Sequence, residues 1–234
     1  MKKKVLLCIN NQLGVEIYKK LKKNKKIEIS LISTFKKKST FLIQNKKKFD
    51  YFLSKQSIVY DFIVTVYWPW IIRKEHFHRF KKSINFHPSL LPYGRGWYPH
   101  IHAQLYKTPY GVTLHEIDKG VDTGKIWCQK KIKIKPFITS DQIYFKAQKE
   151  IKILFLKNYK NIFEGKIKSK KQGKKYVYLK KEWLNKIDQI NPNKTFKCID
   201  LLNLIRIRTF NKKPFANIKI NQKKYKLLLK IISY

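Results

Sequence analysis

Thirteen residues, Ile84-Asn85-Phe86-His87-Pro88-Ser89-Leu90-Leu91-Pro92-Tyr93-Gly94-Arg95-Gly96, restrict the folding of this chain more than any other stretch. In Ser83-Ile84-Asn85-Phe86-His87 polar and apolar residues alternate, so an extended backbone sends Asn85 and His87 to one face and Ile84 and Phe86 to the other. Pro88 and Pro92 cannot continue a central strand, because proline has no N–H for the ladder. His87 is therefore placed where a strand gives way to a loop, the usual position of site residues in α/β proteins. A second stretch, Gly111-Val112-Thr113-Leu114-His115-Glu116-Ile117-Asp118-Lys119-Gly120-Val121-Asp122-Thr123-Gly124, repeats the device. Val112 and Leu114 share one strand face, and the glycines at 120 and 124 force a turn that carries Asp122. Glycines beside Asp122 admit positive φ and leave room for a ligand against the main chain.

An amide, an imidazole and a carboxylate gathered in this way suit acyl transfer to an amine. Asn85 can donate a hydrogen bond to a carbonyl oxygen as it becomes an oxyanion, and a protonated His87 can add a charge-assisted one. Asp122 can orient the imidazole and raise its pKa, or take the amine's proton directly or through one water. No covalent intermediate is required, since a free amine is already a nucleophile. Singly, each residue has an ordinary structural reading: Asn85 as a turn cap, His87 as a buried histidine, Asp122 as part of an Asp-Thr-Gly turn.

These residues resemble the folate-dependent formyltransferases. The family pattern is Asn-x-His followed by Ser-Leu-Leu-Pro and Arg-Gly, then Gly-Val-Thr-x-His and Gly-x-Asp-Thr-Gly. The resemblance runs through Asn85, His87, Ser89 to Pro92, Arg95-Gly96, Gly111 to Thr113, His115 and Gly120 to Gly124. It implies a catalytic trio of Asn85, His87 and Asp122, with 10-formyltetrahydrofolate as formyl donor. It also implies a pterin site in the loop Tyr67-Trp68-Pro69-Trp70-Ile71-Ile72, after the apolar run Phe62 to Val66, with Trp70, Ile72, Asp118 and Gly120 as cofactor contacts. A flat, amide-bearing ring suits such a loop, whose backbone can read the polar edge.

Length suits one catalytic domain with a modest appendage. Methionyl-tRNA formyltransferases carry a larger C-terminal RNA-binding domain, for which too little chain follows the core. The tail Ile199 to Phe210, with Pro214-Phe215-Ala216 beyond, and the run Arg95-Gly96-Trp97-Tyr98-Pro99 are similar to sugar N-formyltransferases, which act on nucleotide-linked amino sugars of the dTDP-amino-dideoxyhexose type. In that reading Arg95 pairs with phosphate, Trp97 covers a sugar or base, and Asn11 lies near the acceptor. The resemblance further implies a homodimer and a place in lipopolysaccharide O-antigen biosynthesis. The opening Val5 to Gly14 lacks a Gly-x-Gly phosphate loop, which disfavours a purine-pathway enzyme, although Asn10-Asn11 before a helix can still bind an anion. Arg206 and Arg208 are two apart, so on a helix they cannot both face one phosphate. The alternatives are a methionyl-tRNA formyltransferase-like enzyme and a non-catalytic anion-binding protein on the same fold.

A formal charge of +40 would ordinarily suggest nucleic-acid or anionic-membrane binding. Only five of the 54 basic residues are arginine, at 73, 79, 95, 206 and 208, and only three residues are alanine. Lys, Ile, Asn, Tyr and Phe abound, the residues of A- and T-rich codons, so the lysines read as solvated faces rather than a specific nucleic-acid site. Cys8, Cys128 and Cys198 have no paired spacing and fit reduced cytosolic thiols. The pairs His76/His78 and His100/His102 diverge on a helix, so no metal site is expected. Met1 to Lys4 imitates a secretion signal, but Asn10-Asn11-Gln12 ends the apolar run too early, and no stretch reaches membrane-spanning length. A cytoplasmic protein is expected.

Alternating strand and helix patterns predict an α/β fold: a formyltransferase-like, Rossmann-type core with a mostly parallel sheet over 1–165 and a small C-terminal α+β appendage over 176–234. Strands are expected near 3–9, 28–33, 61–66, 83–87 and 111–117, and helices near 13–23 and 98–107. Thr139-Ser140-Asp141-Gln142 reads as a capping box before a long helix to about 163. A basic link over 165–175 leads to the appendage, which ends in two short strands.

Overall fold

A computed structural model describes residues 2–35, 41–173, 178–230 and 232. The predicted junction of link and appendage, Lys175 and Tyr176, lies outside them, as do the chain's two terminal residues. The elements in chain order begin with β1 (Lys3–Ile9), α1 (Gln12–Lys22), β2 (Ile27–Ser33), β3 (Phe41–Leu42), α2 (Lys46–Lys55), β4 (Tyr60–Val66), a 3₁₀ turn (Lys74–Arg79) and β5 (Phe80–His87). There follow β6 (Arg95–Gly96), α3 (Pro99–Tyr106), β7 (Gly111–His115), β8 (Ile126–Lys131) and α4 (Ser140–Phe163). The remainder forms β9 (Tyr178–Leu179), α5 (Trp183–Asp188), β10 (Gln189–Ile190), α6 (Cys198–Ile207), β11 (Thr209–Phe210), β12 (Lys213–Pro214), β13 (Asn217–Ile220) and β14 (Lys223–Lys226). The chain divides into two compact units interleaved in sequence, one from residues 1–87, 112–130 and 150–173, the other from 88–111, 131–149 and 174–234.

The first unit is built on a sheet of order β3-β2-β1-β4-β5-β7-β8, parallel from β3 through β5, with β7 antiparallel to β5. β1 and β4 are buried almost throughout from Val5 to Ile9 and from Phe62 to Val66, as expected of parallel strands covered on both faces. The chain begins mid-sheet, builds outward through β2 and β3, then crosses back to β4. The order therefore reverses between β1 and β4, and a crevice opens at their carboxyl ends. Asn10-Asn11 and the loop from Tyr67 to Ile72 both leave the sheet there. Asn11 caps α1, its side-chain oxygen accepting from the Gly14 N–H at 3.2 Å. Gly14 permits the close turn back onto β1, since a Cβ would lie 2.5 Å from the Ile9 side chain.

The capping box at 139–142 forms: Thr139 N–H donates to Gln142 Oε1 at 3.0 Å, and Gln142 N–H to Thr139 Oγ1 at 3.4 Å. Further along α4, the fully buried Phe155 stacks on Tyr159 at 5.4 Å and meets Phe86 at 4.9 Å. Phe86 is thus packed from behind, which leaves Asn85 and His87 to the opposite sheet face, as their alternation predicts.

Three elements differ from the sequence expectation. β7 stops at His115 rather than 117, because Glu116 N–H turns to Lys125 O at 2.8 Å and Ile117 N–H to Ser83 Oγ at 2.7 Å. α2 was hidden by its lysines: only Phe49 and Leu53 are buried, one turn apart, and Asn45 caps it by accepting from Lys48 N–H at 2.9 Å. β8 has one buried residue, Trp127, so its alternation is weak, and pairing beside β7 makes it a strand.

In the second unit Ile101 of α3, Leu184 of α5 and Ile207 of α6 form a small core. β13 and β14 make the predicted terminal hairpin, joined by Asn221 and Gln222 at φ 45 and 65°, the two left-handed residues that match strand twist. Arg208 holds Asp188 with two guanidinium nitrogens, one contact at 2.9 Å, and lies 4.9 Å from the Phe215 ring. Arg206 donates to Gln104 and Asn203, each at 3.2 Å, and to Ile138 O. Both arginines are therefore engaged in ordering this unit.

His100 and His102 are buried in the same unit. Burial, reinforced by Arg208, lowers the His100 pKa from 6.5 to about 3, and burial lowers that of His102. Both rings are neutral when folded, whereas unfolded histidines take up protons below about pH 6.5. Stability is then complete above that pH and is lost on acidification toward pH about 3, because the unfolded state binds more protons. The urea midpoint should fall from pH 6.5 to 4, and His100→Phe should flatten the slope by up to about 1.4 kcal/mol per pH unit. An unaltered slope would mean the folded ring is already charged. In the first unit, Phe155→Ala should cost about 3–5 kcal/mol of unfolding free energy by denaturant titration.

Candidate active site

The site is assembled by the antiparallel pairing of β5 with β7, which sets Asn85 opposite His115 and His87 opposite Thr113. On the other side β4 pairs with β5 and sets Thr65 beside Asn85. Thr65 Oγ1 donates to Asn85 Oδ1 at 2.7 Å, Asn85 Nδ2 lies 3.0 Å from His115 Nε2, and His115 Nδ1 lies 2.6 Å from Glu116 O. A carbonyl can only accept, so Nδ1 carries the proton and Nε2 accepts from the Asn85 amide. That direction fixes the amide as well: its oxygen is used on Thr65, and one N–H is used on His115. The second N–H faces Asp122, whose Oδ1 is 3.5 Å away.

Asp122 reaches this cluster from the loop after β7. Its carboxylate spans two imidazoles, with Oδ2 at 3.5 Å from His87 Nδ1 and Oδ1 at 3.5 Å from His115 Nε2. The rings stand edge to face with centroids 5.9 Å apart. All three side chains are at most 13% exposed, so their interactions act in a medium far less screening than water. The predicted trio of Asn85, His87 and Asp122 is thus brought together. The backbone of Asp122 is left-handed at φ 53°, and Gly124 lies so close to Glu116 that a Cβ would sit 1.8 Å from its carbonyl oxygen. The glycine-punctuated turn is therefore used for a close approach, with the left-handed position falling on the aspartate itself.

The other predicted residues fall in several places. Asn11 and the Tyr67–Ile72 loop lie at the crevice ends of β1 and β4, with Tyr67 left-handed at φ 54°. Ile72 is buried and Trp70 packs on Phe49 and, edge-on, on Trp68, so their side chains belong to the core and the loop's main chain is what remains for a ligand. Asp118 turns its side chain inward, accepting from Gly120 N–H at 3.1 Å and from the Thr123 hydroxyl. Arg95 and Trp97 belong to the second unit. Arg95 is buried on β6, which pairs with β9, and Gly96 at φ 90° allows the contact, since a Cβ there would meet Leu179 O at 2.3 Å. The indole of Trp97 is 40% exposed, with the Lys181 ammonium 5.3 Å from its ring centroid.

Sequence reasoning quoted His115 within its motif but gave it no task, and it passed over Thr65 and Gln172. His115 had a signal in its alternation with Thr113 on one face of β7. Thr65 had none, because its role follows from register with β5. The side chain of Gln172 donates to the carbonyls of Asp122 and Gly124 at 2.9 and 2.7 Å. Among the described residues no helix is long and apolar enough to cross a membrane.

Comparison with known proteins identifies the family. A family model for formyl transferase matches residues 3–158, and one for the N-formyltransferase dimerization C-terminal domain matches 184–233. The chain belongs to the formyl transferase family. It is 30% identical over 131 residues to a dTDP-4-amino-4,6-dideoxyglucose formyltransferase of Mycobacterium tuberculosis, a match covering 55% of this chain and 55% of that protein. It is 25% identical to a methionyl-tRNA formyltransferase of Mycoplasma mycoides over 96% of this chain and 76% of that one. Its fold matches the crystal structure of a 4-N formyltransferase from Francisella tularensis with a TM-score of 0.87, at 22% identity over 99% of both chains. It also resembles the formyltransferase PseJ from Anoxybacillus kamchatkensis, in complex with UDP-4,6-dideoxy-4-formamido-L-AltNAc and tetrahydrofolate. There the TM-score is 0.62 and the identity 27%, over 78% of this chain and 88% of that one.

The hydrogen-bond chain through Asn85 requires a neutral His115 with its proton on Nδ1. Imidazole ¹⁵N shifts at pH 7 should show that tautomer, and a proton on Nε2 instead would break the assigned direction of the chain.

Proposed function

We propose that this chain transfers a formyl group from 10-formyltetrahydrofolate to the amino group of a nucleotide-linked amino sugar of the dTDP-amino-dideoxyhexose type. The observation that carries this reading is the convergence of Asn85, His87 and Asp122 in one shielded cluster beside the crevice of the sheet. Attack of the acceptor amine on the formyl carbon makes a C–N bond and leaves negative charge on the formyl oxygen. The second N–H of Asn85, which meets Asp122 only at 3.5 Å, and an imidazolium at His87 are the donors for that oxygen. Asp122 accepts the proton released by the amine, and the C–N bond to the donor then breaks with a proton returned to the departing nitrogen. The main chain from Tyr67 to Ile72, which lies at the crevice, supports a pterin there, with Asp118 and Gly120 as the further contacts that the family resemblance implies.

For the acceptor, Arg95 is buried rather than a loose surface arginine, in keeping with a phosphate partner, and Trp97 offers an exposed indole to a sugar or base. The M. tuberculosis relative and the ligands of PseJ favour an amino sugar. The match to the dimerization domain at 184–233 favours a homodimer and the division into a core over 1–165 and an appendage over 176–234. A cytoplasmic enzyme of O-antigen biosynthesis accords with these choices, and with unpaired Cys8, Cys128 and Cys198. The M. mycoides relative, which aligns over nearly all of this chain, keeps charged initiator tRNA as the competing acceptor.

Incubation with 10-formyltetrahydrofolate and a panel of nucleotide-linked 3-amino and 4-amino dideoxyhexoses should add one formyl mass to a panel member. Transfer to charged initiator tRNA and to no sugar would replace the acceptor. Asn85→Ala, His87→Ala and Asp122→Ala should each lower kcat by at least about 10²; unchanged transfer in all three would remove the mechanism.

A further inference from the structure

The segment after α4, residues 166–173, runs against the loop that carries Asp122. Ile126 and Lys170 exchange two backbone hydrogen bonds at 2.7 and 2.9 Å. Ser169 Oγ donates to Glu116 Oε1 at 2.7 Å, and Gln172 Nε2 donates to the carbonyls of Asp122 and Gly124. We propose that Gln172 is a positioning residue for formyl transfer, its carboxamide holding the Asp122 loop so that the carboxylate faces His87 and His115. The kinetic part of this inference rests on the function proposed above; the placement of the loop does not. Gln172 falls between the segments matched by the two family models, so neither match assigns it a task.

The argument is one of geometry. Asp122 holds a left-handed backbone at φ 53°, a region that aspartate visits more readily than most L side chains and that its neighbours then hold. From inside the loop, Asp118 ties Gly120 and Thr123, which settles the approach to Asp122 but not the peptide groups at and beyond it. Gln172 adds a restraint from outside the loop at two of those carbonyls, at positions 122 and 124. The two hydrogens of one NH₂ group can satisfy both, because each points along its own N–H direction. Glutamate cannot do this, since it offers only acceptors against carbonyl oxygens, and asparagine is a methylene short. A rotation at 122 would swing the carboxylate away from two imidazoles that it meets at 3.5 Å, and displacement of a catalytic group by about 1 Å is enough to cost about 10² in rate.

The test compares the full chain with Gln172→Glu, Gln172→Ala and Ser169→Ala. Ser169→Ala loosens the same segment at its far end, by Glu116, and separates general docking from control of Asp122. The expected result is a fall in kcat of about 10- to 100-fold for both Gln172 variants, with the acceptor KM within about threefold of wild type. The acid limb of the kcat profile should shift, and the His87 pKa followed by imidazole ¹⁵N shifts should drop as its carboxylate partner moves off. Ser169→Ala should keep wild-type kcat and His87 titration. If both Gln172 variants merely melt at lower temperature while kcat and the His87 titration stay unchanged, Gln172 has a structural role alone and the inference is overturned. If Ser169→Ala reproduces the Gln172 effects, the whole segment and not its carboxamide is responsible, which also overturns it. Absence of formyl transfer in the wild type would count against the proposed function, and the His87 titration would then decide the positioning by itself.

Discussion

The antiparallel register of β5 on β7 is the constraint on which the site depends. Setting Asn85 opposite His115 brings an amide nitrogen within 3.0 Å of an imidazole, and the orientation of the amide follows from that choice of partner. The chain Thr65 to Asn85 to His115 to Glu116 is directional because it ends on a carbonyl that can only accept, and the Thr65 hydroxyl, able to donate or accept, turns its proton to the Asn85 oxygen. An asparagine amide has two nearly equivalent orientations, and the chain selects one. The selected orientation turns the second N–H, not a carbonyl, toward Asp122. A slip of one residue in this register would send Asn85 and His87 to the face now filled by Ile84 and Phe86.

The carboxylate comes to the cluster by a different route. Asp122 sits on a loop with no ladder to hold it, and its backbone lies in a region that costs free energy. The loop is kept in place by Gly124 pressed against Glu116, by the Asp118 side chain from within, and by the segment after α4 from outside. One side of the site is therefore rigid because it is sheet, and the other is rigid because several independent contacts agree on a strained conformation. Division of labour of this kind suits a reaction whose donors must stay fixed while a proton acceptor is brought close to two imidazoles.

The high charge of the chain has little part in this architecture. Of the buried arginines, Arg208 is held by Asp188 beside Phe215 and Arg206 by neutral oxygens around α6, while Arg95 lies buried on the short β6 segment. Lysines decorate the remaining surface, and even α2, which opens on three of them, is held by just Phe49 and Leu53 beneath. Scarce arginine at buried positions and abundant lysine outside match their chemistry, since a guanidinium keeps its charge and geometry on desolvation and an ammonium is costlier to strip of water.

The sequence alone determined the local features. Alternation from Ser83 to His87 specified which side chains share a face, prolines 88 and 92 ended the strand, and the pattern from 111 to 124 marked a glycine-punctuated turn carrying Asp122. The capping box at 139–142 set the start of α4. Each of these is written in residues a few positions apart, where backbone sterics and period decide the outcome. The tertiary structure decided what lies beyond that range. Thr65 meets Asn85 across 20 residues and Gln172 meets Asp122 across 50, and β8 is a strand because β7 offers it an edge. Such contacts leave no periodic trace, because they depend on the register of strands and the return path of a helix. The trio was therefore legible in the chain, while the groups that orient it became visible only once the sheet had brought distant residues together.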